Sequence, residues 1–266
     1  MTVAASRSPK PGWALSERAR YRLLGVVSPV ALLLLWEICA RFGLIDTRFF
    51  PPPTAIIRLG YDMVLSGELM RHTLITLQRM FWGTLIGGIP ALVLGIIMGL
   101  NRTTRALMDP LVAAIYPIPK SAILPLALLI FGLGEASKIF MVAIGVFFPV
   151  LINAAAGVLG IDKIYLDVGR NFKAGRWQTF RTIALPGAMP VILTGFKLGI
   201  GIGLIMVTMA EMLGGSDAGL GFMIWNSWQI FSVEQMYVGL FVVALIGFLL
   251  TLLLDELEGF LIPWKR

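Results

Sequence analysis

The sequence predicts an all-α, polytopic membrane protein, and its composition and the pattern of its apolar residues lead to that prediction. Of its 266 residues, 58% are hydrophobic and only 14% are charged, whereas soluble domains carry about 25% charged residues. A soluble chain of this length cannot bury so much apolar surface, because single cores stop growing beyond roughly 250–300 residues. The apolar residues form continuous runs rather than the alternating segments of a membrane barrel. These observations exclude a soluble enzyme, a disordered chain and a disulfide scaffold.

Six runs are long enough to cross a membrane as helices, which takes about 20 mostly apolar residues each. They follow a polar tail at residues 1–21 and make residues 22–266 one membrane domain. The predicted spans are residues 22–41, 74–100, 108–133, 138–161, 187–212 and 235–257. Between the first two spans, Pro51–Pro53 predict an extended entry, and Thr54 is placed to cap a short helix that ends near Leu65.

The basic residues fix the predicted orientation of the chain. The net charge is +7, and fourteen of the 22 Lys and Arg lie in the two termini and the segments on their side of the membrane. The positive-inside rule therefore predicts that both termini are cytoplasmic. The excess charge indicates topology and contact with the lipid bilayer rather than binding to nucleic acid.

The residues that carry covalent or metal chemistry are sparse. The single Cys39 and single His72 exclude a disulfide and a multi-Cys or His-pair metal site. The sequence contains no phosphate-binding G-x-x-x-x-G-K-[ST] loop. We therefore expect no catalytic residues, no metal and no cofactor bound by this chain. If ATP drives its function, the ATPase has to be another subunit.

The predicted spans contain many helix breakers and small residues. Pro117, Pro119 and Pro125 interrupt the third span, and broken backbone at membrane depth is tolerated where it is buried in protein or lines a cavity. Small residues recur four apart, as in the pairs Gly83–Gly87, Gly95–Gly99 and Gly195–Gly199. Such pairs allow close helix packing. They are compatible both with plain packing and with a bundle whose helices rock.

Charged residues inside the predicted spans are functional candidates by default. Those singled out are Glu37, Arg79, Lys120, Lys197 and Glu211. The candidates for the substrate path are Arg79, Lys120, Lys197 and Glu211, together with Pro117 and Pro119. Lys120 follows Pro117 and Pro119 in the broken third span and is the leading candidate for contact with an anionic solute. Interhelical ion pairs or snorkelling are the alternative for each of them.

The segment at residues 162–186, between the fourth and fifth spans, is longer than a simple connection requires. It holds five basic residues and apolar side chains at helical spacing, with Gly175 between two predicted short helices. A basic amphipathic helix pair of this kind either lies on anionic lipid or docks a soluble partner.

This segment resembles the cytoplasmic signature of ATP-binding-cassette (ABC) importer permeases that depend on a binding protein: E-A-A, three residues, G, nine residues, I-x-L-P. Here it reads Asp167-Val168-Gly169, three residues, Lys173, nine residues, and Ile183-Ala184-Leu185-Pro186. Because Lys173 replaces the turn-forming Gly, we expect Gly175 to supply the turn. The runs FFPPP, FGLGEASKIF, GRWQTFRTIALPGAMPVILTGFKLGIG and AEMLGGSDAGLGFMI extend the resemblance to the nitrate, sulfonate, taurine and bicarbonate branch.

The resemblance implies a type I ABC importer permease bundle of six helices in the cytoplasmic (inner) membrane of a bacterium, working as a homodimer by alternating access. Its partners would be two ATPase subunits, which bind ATP and Mg²⁺, and a periplasmic or lipid-anchored solute-binding protein. Members often carry charges at the positions of Arg79 and Glu211, which suggests a structural pair or gate. Residues of the 162–186 segment would couple to the ATPase: Asp167, Val168, Gly169, Arg170, Phe172, Lys173, Gly175, Arg176, Trp177, Phe180, Ile183, Leu185 and Pro186. An ion-coupled secondary transporter is the alternative, although such proteins usually show inverted repeats.

Overall fold

The computed structural model describes residues 17–263, without the side chains of residues 17–24, Val26, Lys163, Leu166, Arg170 and Arg176. Most of the predicted polar tail, residues 1–16, lies outside that description. The regular elements of the described residues are helices: α1 (Glu17–Arg41), α2 (Pro53–Leu65), α3 (Glu68–Leu100), α4 (Arg102–Ile115), a 3₁₀ turn (Lys120–Ile123), α5 (Leu124–Phe131), α6 (Glu135–Leu159), α7 (Lys163–Asn171), α8 (Arg176–Thr179), a π turn (Phe180–Ala184), α9 (Leu185–Leu213), α10 (Leu220–Gln229) and α11 (Val233–Leu261).

Four stretches of helix in residues 17–263 are long and apolar enough to cross a bilayer: α3, α6, the helix from Trp177 to Leu213, and α11. The segments Arg102–Ile115 and Lys120–Phe131 meet the same test as a pair, bent by 87°. The bend falls at Pro117 and Pro119, as predicted, because proline removes a helical hydrogen bond and restricts the residue before it. This gives four or five crossings, and the sixth stays a prediction.

Helix α6 forms the centre of the bundle, between α3 and α9. Glycines on both neighbours allow its backbone to approach closely. Those of α3 that face α6 are Gly83, Gly87, Gly95 and Gly99, and those of α9 are Gly195, Gly199 and Gly203. The predicted small-residue pairs are therefore packing contacts, in which van der Waals contact between helices replaces the hydrophobic effect.

The helix that contains the fifth predicted span begins before the apolar run of that span. The residues from Trp177 to Leu213 form one membrane-length helix, which passes through the π turn at Phe180–Ala184. Its first ten residues belong to the predicted 162–186 segment, where polar side chains hide helix from a hydropathy pattern. The bounds of the fifth span within this helix stay a prediction, and the 162–186 segment continues into α9 without an intervening loop.

The described chain divides into two compact units after Arg58. In the first unit, Glu37 binds the guanidinium of Arg41 and accepts hydrogen bonds from the backbone N–H (3.0 Å) and hydroxyl (2.8 Å) of Thr54. The predicted short helix is confirmed as α2. Its start differs from the prediction, since Thr54 lies in the first turn and donates its hydroxyl to Glu37 instead of capping the helix.

Candidate functional site

The motif that resembles the permease signature forms a short helix, α7, with defined ends. The Asp162 carboxylate accepts a hydrogen bond from the backbone N–H of Ile164 at 3.0 Å and caps its start. At the other end, the N–H of Ala174 donates to the carbonyl of Gly169 at 2.9 Å. Lys173, between them, has a left-handed backbone with φ of 54°. This is a Schellman ending, which favours Gly at the left-handed position.

The turn therefore stays where the signature has its glycine, and the expectation that Gly175 takes it over is wrong. Gly175 does not have a positive φ. The hydrogen bond from Ala174 to Gly169 fixes the left-handed position four residues after Gly169, whatever residue occupies it. Lys173 adopts that backbone at a cost of about 1–2 kcal/mol.

Replacing Lys173 by Gly is therefore expected to stabilise α7 by about 1 kcal/mol, because glycine adopts the left-handed backbone without a Cβ penalty. Slower amide hydrogen exchange in residues 163–174 of the K173G variant would show this. The matched control is K173A, which removes the amine but keeps the Cβ and should exchange no more slowly than the wild type. Equal protection in the two variants would contradict the strain at this position.

The two ends of the signature pack against each other. Gly169 is buried, and a Cβ placed on it would lie 2.9 Å from Cδ1 of Ile183 in the π turn. A larger residue at this position would have to displace the end of the Ile183 side chain, because α7 lies directly on the π turn that leads into α9. Leu185 and Pro186 are half-buried and continue that helix.

One face of α7 is apolar and exposed. Ile164, Val168 and Phe172 follow each other at four-residue spacing and are 66%, 46% and 83% exposed. Residues four apart lie on one side of a helix, so these side chains form a continuous strip, which we call the α7 strip. Asp167 is also exposed. The predicted side chains of Arg170 and Arg176 lie outside the described residues.

Trp177 and Phe180 occupy a different place from the α7 strip. Their rings lie 5.5 Å apart, and both line a groove of about 540 Å³ along the end of α3, with Val93, Ile97 and Leu100 on its other side. These two predicted coupling residues therefore face helix α3 of the same chain. The exposed strip of α7 remains the surface available to a partner.

A second cluster of predicted residues lies at the opposite end of α3 and α9. The Arg79 guanidinium is 2% exposed and binds the carboxylate of Glu211, which is fully buried, at 2.8 Å. It also binds Glu135 at the start of α6 through two nitrogens, at 2.5 and 2.7 Å, and the carbonyl of Ala218 at 2.8 Å. Arg79 thus joins three crossing helices and the segment after α9.

Side chains of this cluster also hold the beginning of α10. The N–H groups of Gly219, Leu220 and Gly221 donate to His72 Nδ1 (3.1 Å), Thr76 Oγ1 (2.9 Å) and Glu211 Oε2 (2.8 Å), respectively. The Thr76 hydroxyl in turn donates to Glu211. Because the first N–H groups of a helix have no partner within it, His72, Thr76 and Glu211 satisfy the free donors of α10. We call His72, Thr76, Arg79, Glu135 and Glu211 the α10 clamp.

Lys120 and Lys197, the other two candidate cations, have partners within the chain. Lys120 Nζ donates to the carbonyls of Ile115 (3.2 Å), Tyr116 (2.7 Å) and Ile118 (2.9 Å), which close the end of α4. The Lys120 ammonium group holds the bend in this conformation through these hydrogen bonds. Contact with an anion, as predicted, would require Lys120 to give up hydrogen bonds to these carbonyls. Lys197 pairs with Asp255 and Glu258 of α11 at 2.5 Å each, which fits the alternative of an interhelical ion pair.

Helix α10 and the contacts of His72, Thr76 and Glu135 were not predicted from the sequence. A signal was present for His72 and Thr76. His72, Thr76 and Arg79 stand at positions i, i+4 and i+7, which places three polar side chains on one face of an apolar helix. No comparable sequence pattern indicated Glu135, because its partner Arg79 lies far away in the chain.

Comparison with known proteins identifies the chain. The family model described as the binding-protein-dependent transport system inner membrane component matches residues 91–266. The chain belongs to this family. It is a permease component, and the permease carries the signature at residues 162–186 within the matched region.

Curated relatives match the permease over nearly its whole length. It is 32% identical over 266 residues to the putative aliphatic sulfonates transport permease protein SsuC of Bacillus subtilis, covering 100% of this chain and 94% of the relative. It is 33% identical to the taurine transport system permease protein TauC of Escherichia coli, covering 97% and 94%. The bicarbonate transport system permease protein CmpB of Synechococcus elongatus is 30% identical, covering 92% and 91%.

A solved structure supports the fold. A chain in the inward-facing MetNI methionine ABC transporter superposes with a TM-score of 0.54 at 20% identity, covering 71% of the permease and 91% of that chain. The helical bundle is therefore that of an ABC importer permease. These findings favour the importer over the ion-coupled secondary transporter.

Proposed function

We propose that the permease is half of the membrane part of an ATP-driven importer for a small organic or inorganic anion. Relatives named for aliphatic sulfonates, taurine and bicarbonate support this class of solute. Two copies of the permease would assemble with two ATPase subunits, which bind ATP and Mg²⁺, and a periplasmic or lipid-anchored solute-binding protein. The permease itself performs no covalent chemistry.

In this proposal the permease crosses the cytoplasmic membrane six times, with both termini in the cytoplasm. The crossings are α1, α3, the bent pair of α4 and α5, α6, α9 and α11. Residues 23–36 of α1 are free of charge, and Leu32, Leu34 and Leu35 are exposed, as expected for a helix in lipid. The α7 strip then faces the cytoplasm.

The observation that carries the coupling role is the exposed α7 strip. Ile164, Val168 and Phe172 project from a helix that follows α6 and lies directly on the start of α9. Apolar helix faces of this size are recognised by hydrophobic grooves in partner proteins, and aromatic anchors carry most of the energy of such interfaces. We therefore assign the α7 strip to a cleft in the ATPase subunit.

Closure of the ATPase subunits would reach the bundle through α7. Gly169 rests on Ile183, and the π turn that contains Ile183 continues into α9. Beside this contact, a cavity of about 600 Å³ lies between α7 and the start of α9, and Ile161, Tyr165 and Pro186 are among its lining residues. The contact at Gly169 thus acts as the pivot, and the cavity leaves room for α7 to tilt before the bundle changes between its outward-facing and inward-facing states.

The bend between α4 and α5 is the part of the bundle that most requires cover by another chain. Tyr116–Pro119 is exposed in the single permease, and non-helical backbone does not face lipid at membrane depth. A second copy that covers this bend would enclose a path lined by Pro117, Pro119 and Lys120, which supports the proposed homodimer.

Shortening Phe172 to alanine is expected to weaken capture of the ATPase subunits about tenfold or more, because exposed aromatic anchors typically cost over 1 kcal/mol of binding energy when truncated. Uptake of solute in proteoliposomes should fall with it. Both quantities can be measured as copurified ATPase and as ATP-dependent accumulation of a labelled sulfonate, taurine or bicarbonate.

A matched control is Phe248→Ala, which removes an exposed aromatic side chain from α11 within the membrane. This variant should retain the ATPase subunits. If F172A also retains them and transports at the wild-type rate, the α7 strip does not couple the two proteins. Uptake driven by an ion gradient without ATPase subunits would overturn the proposed importer altogether.

A further inference from the structure

The turn between α10 and α11 presents exposed apolar side chains on a strained backbone. Phe231 is 83% exposed, and its neighbours Trp228 and Ile230 are 56% and 62% exposed. The N–H of Ser232 donates to the carbonyl of Ser227 at 2.8 Å, which is again a Schellman ending. Phe231 holds its left-handed position with φ of 57°. We call Trp228, Ile230 and Phe231 the aromatic tip.

This backbone is unusual for a phenylalanine. Only Lys173 and Phe231 have a positive φ among the non-glycine residues that the structure describes. Bulky residues in this region are genuine outliers, and glycine would form the same turn without strain. The ring of Phe231 also buries little surface within the chain. Neither the turn nor internal packing accounts for an aromatic side chain here, so its exposed ring indicates a contact outside the chain.

The aromatic tip lies at the end of the bundle away from α7. Helix α9 runs from the π turn beside α7 to Leu213, and α11 begins at Val233, directly after the tip. The Gln235 amide donates to Glu68 at 3.1 Å, which places the start of α11 beside the start of α3. If α7 faces the cytoplasm, as proposed above, the tip faces the side from which solute arrives.

The polar groups around the tip favour a protein partner over anionic lipid. Gln229 and Glu234 are exposed on either side of it, and the pair of Gln235 and Glu68 follows. An apolar centre with a polar border is the ordinary composition of a protein interface. Carboxylates repel anionic lipid headgroups and attract basic side chains of a protein.

We propose that the aromatic tip is the contact of this permease for its solute-binding protein, which would present basic side chains opposite Glu234. This inference rests on the proposed function, in which a solute-binding protein delivers solute to the permease, and on the family's description as a binding-protein-dependent transport system. Helix α10 is about 15 Å long at helical rise. It connects the tip to the α10 clamp, so docking at Phe231 is transmitted to the helices that Arg79 joins.

Site-specific photo-crosslinking in intact cells tests the contact. Phe231 is replaced by benzoylphenylalanine, and adducts formed under light are identified by mass spectrometry. Phe260 is the matched control, because it is 81% exposed near the other end of α11. The expected result is a covalent adduct with a periplasmic or lipid-anchored solute-binding protein from position 231 but not from position 260. Adducts with lipid alone, or no adduct at 231, would overturn the proposal.

The variant F231G then separates contact from structure. Glycine relieves the backbone strain, so the melting temperature of the reconstituted complex should stay the same or rise. Affinity for the binding protein identified by crosslinking should nevertheless fall about tenfold, and Phe231→Tyr should restore most of it. Unchanged affinity in F231G would show that the ring is not an anchor.

The proposed function fails in a distinguishable way. If the wild-type complex binds its ATPase subunits and is stimulated by the binding protein, while F231G behaves identically, only the role of the aromatic tip is wrong. If no binding protein stimulates the wild-type complex and no ATPase copurifies with it, the importer itself is wrong.

Discussion

Replacing Arg79 by methionine is expected to lower the free energy of unfolding of the permease by about 3–5 kcal/mol, the usual cost of breaking a buried ion pair from one side. Arg79 is 2% exposed and Glu211 is fully buried, with their charged groups 2.8 Å apart. Without the guanidinium, Glu211 lacks its counter-charge in a place that water does not reach, and either a buried charge or the uptake of a proton destabilises the fold. Unfolding in mixed micelles, followed over increasing denaturant, measures the loss.

The cost should come from Glu211 rather than from Glu135. The Glu135 side chain is 62% exposed, so water can replace Arg79 around it, and exposed ion pairs contribute little. The double variant R79M/E211Q tests this distinction. A neutral amide at position 211 can still accept from Gly221 and Thr76, but it leaves no buried charge.

Recovery of at least half of the lost stability in R79M/E211Q is the expected result. If the free energy of unfolding of R79M lies within 1 kcal/mol of the wild-type value, the buried ion pair of Arg79 and Glu211 is contradicted. A double variant as unstable as R79M would instead assign the loss to the hydrogen bond from Arg79 to Ala218, which fixes the segment before α10.

The local features of the fold were predictable because they depend on residues that are close in the chain. The closely spaced Pro117 and Pro119 interrupt the helix locally, and glycines four apart form a smooth face in any helix. The end of α2 near Leu65 is likewise set by residues close in the chain. The structure confirms these features, although α2 begins at Pro53 and Thr54 does not cap it.

The partners of the charged residues could not be predicted in this manner. Arg79 and Glu211 were both identified as candidates, but nothing in the spacing of a single sequence says that their helices meet at that depth. Lys120 and Lys197 show the same limit. Each was a candidate for the substrate path, and the structure gives Lys120 the carbonyls at the end of α4 and Lys197 two carboxylates of α11.

The turn of the coupling segment was missed for a different reason. The preference of glycine for left-handed backbone suggested that the turn moves to Gly175, because an energy of about 1–2 kcal/mol favours glycine there. The register of the hydrogen bond from Ala174 to Gly169 outweighs that preference and leaves the strain on Lys173. Propensity of one residue is weaker evidence than the hydrogen bonds that end a helix.

The second large effect is expected at Gly87, where α3 crosses α6. A Cβ at this position would overlap the carbonyl oxygen of Ala143 and would lie 2.7 Å from its Cα. Both obstacles are backbone of a helix packed on two sides, so neither can rotate away as a side chain would. The Gly87→Ala variant therefore has to push α3 and α6 apart.

Separation of the two helices should cost G87A about 1–3 kcal/mol or more from overpacking alone. It also loosens the contacts at Gly83 and Gly95 along the same face, so transport should fall together with stability. The matched control is Gly201→Ala in α9, where a new Cβ meets no atom within 4 Å. That variant should be neutral or slightly stabilising, because alanine favours a helix by about 1 kcal/mol over glycine. Equal melting temperatures for G87A and G201A would show that α3 and α6 are not held together by this close approach.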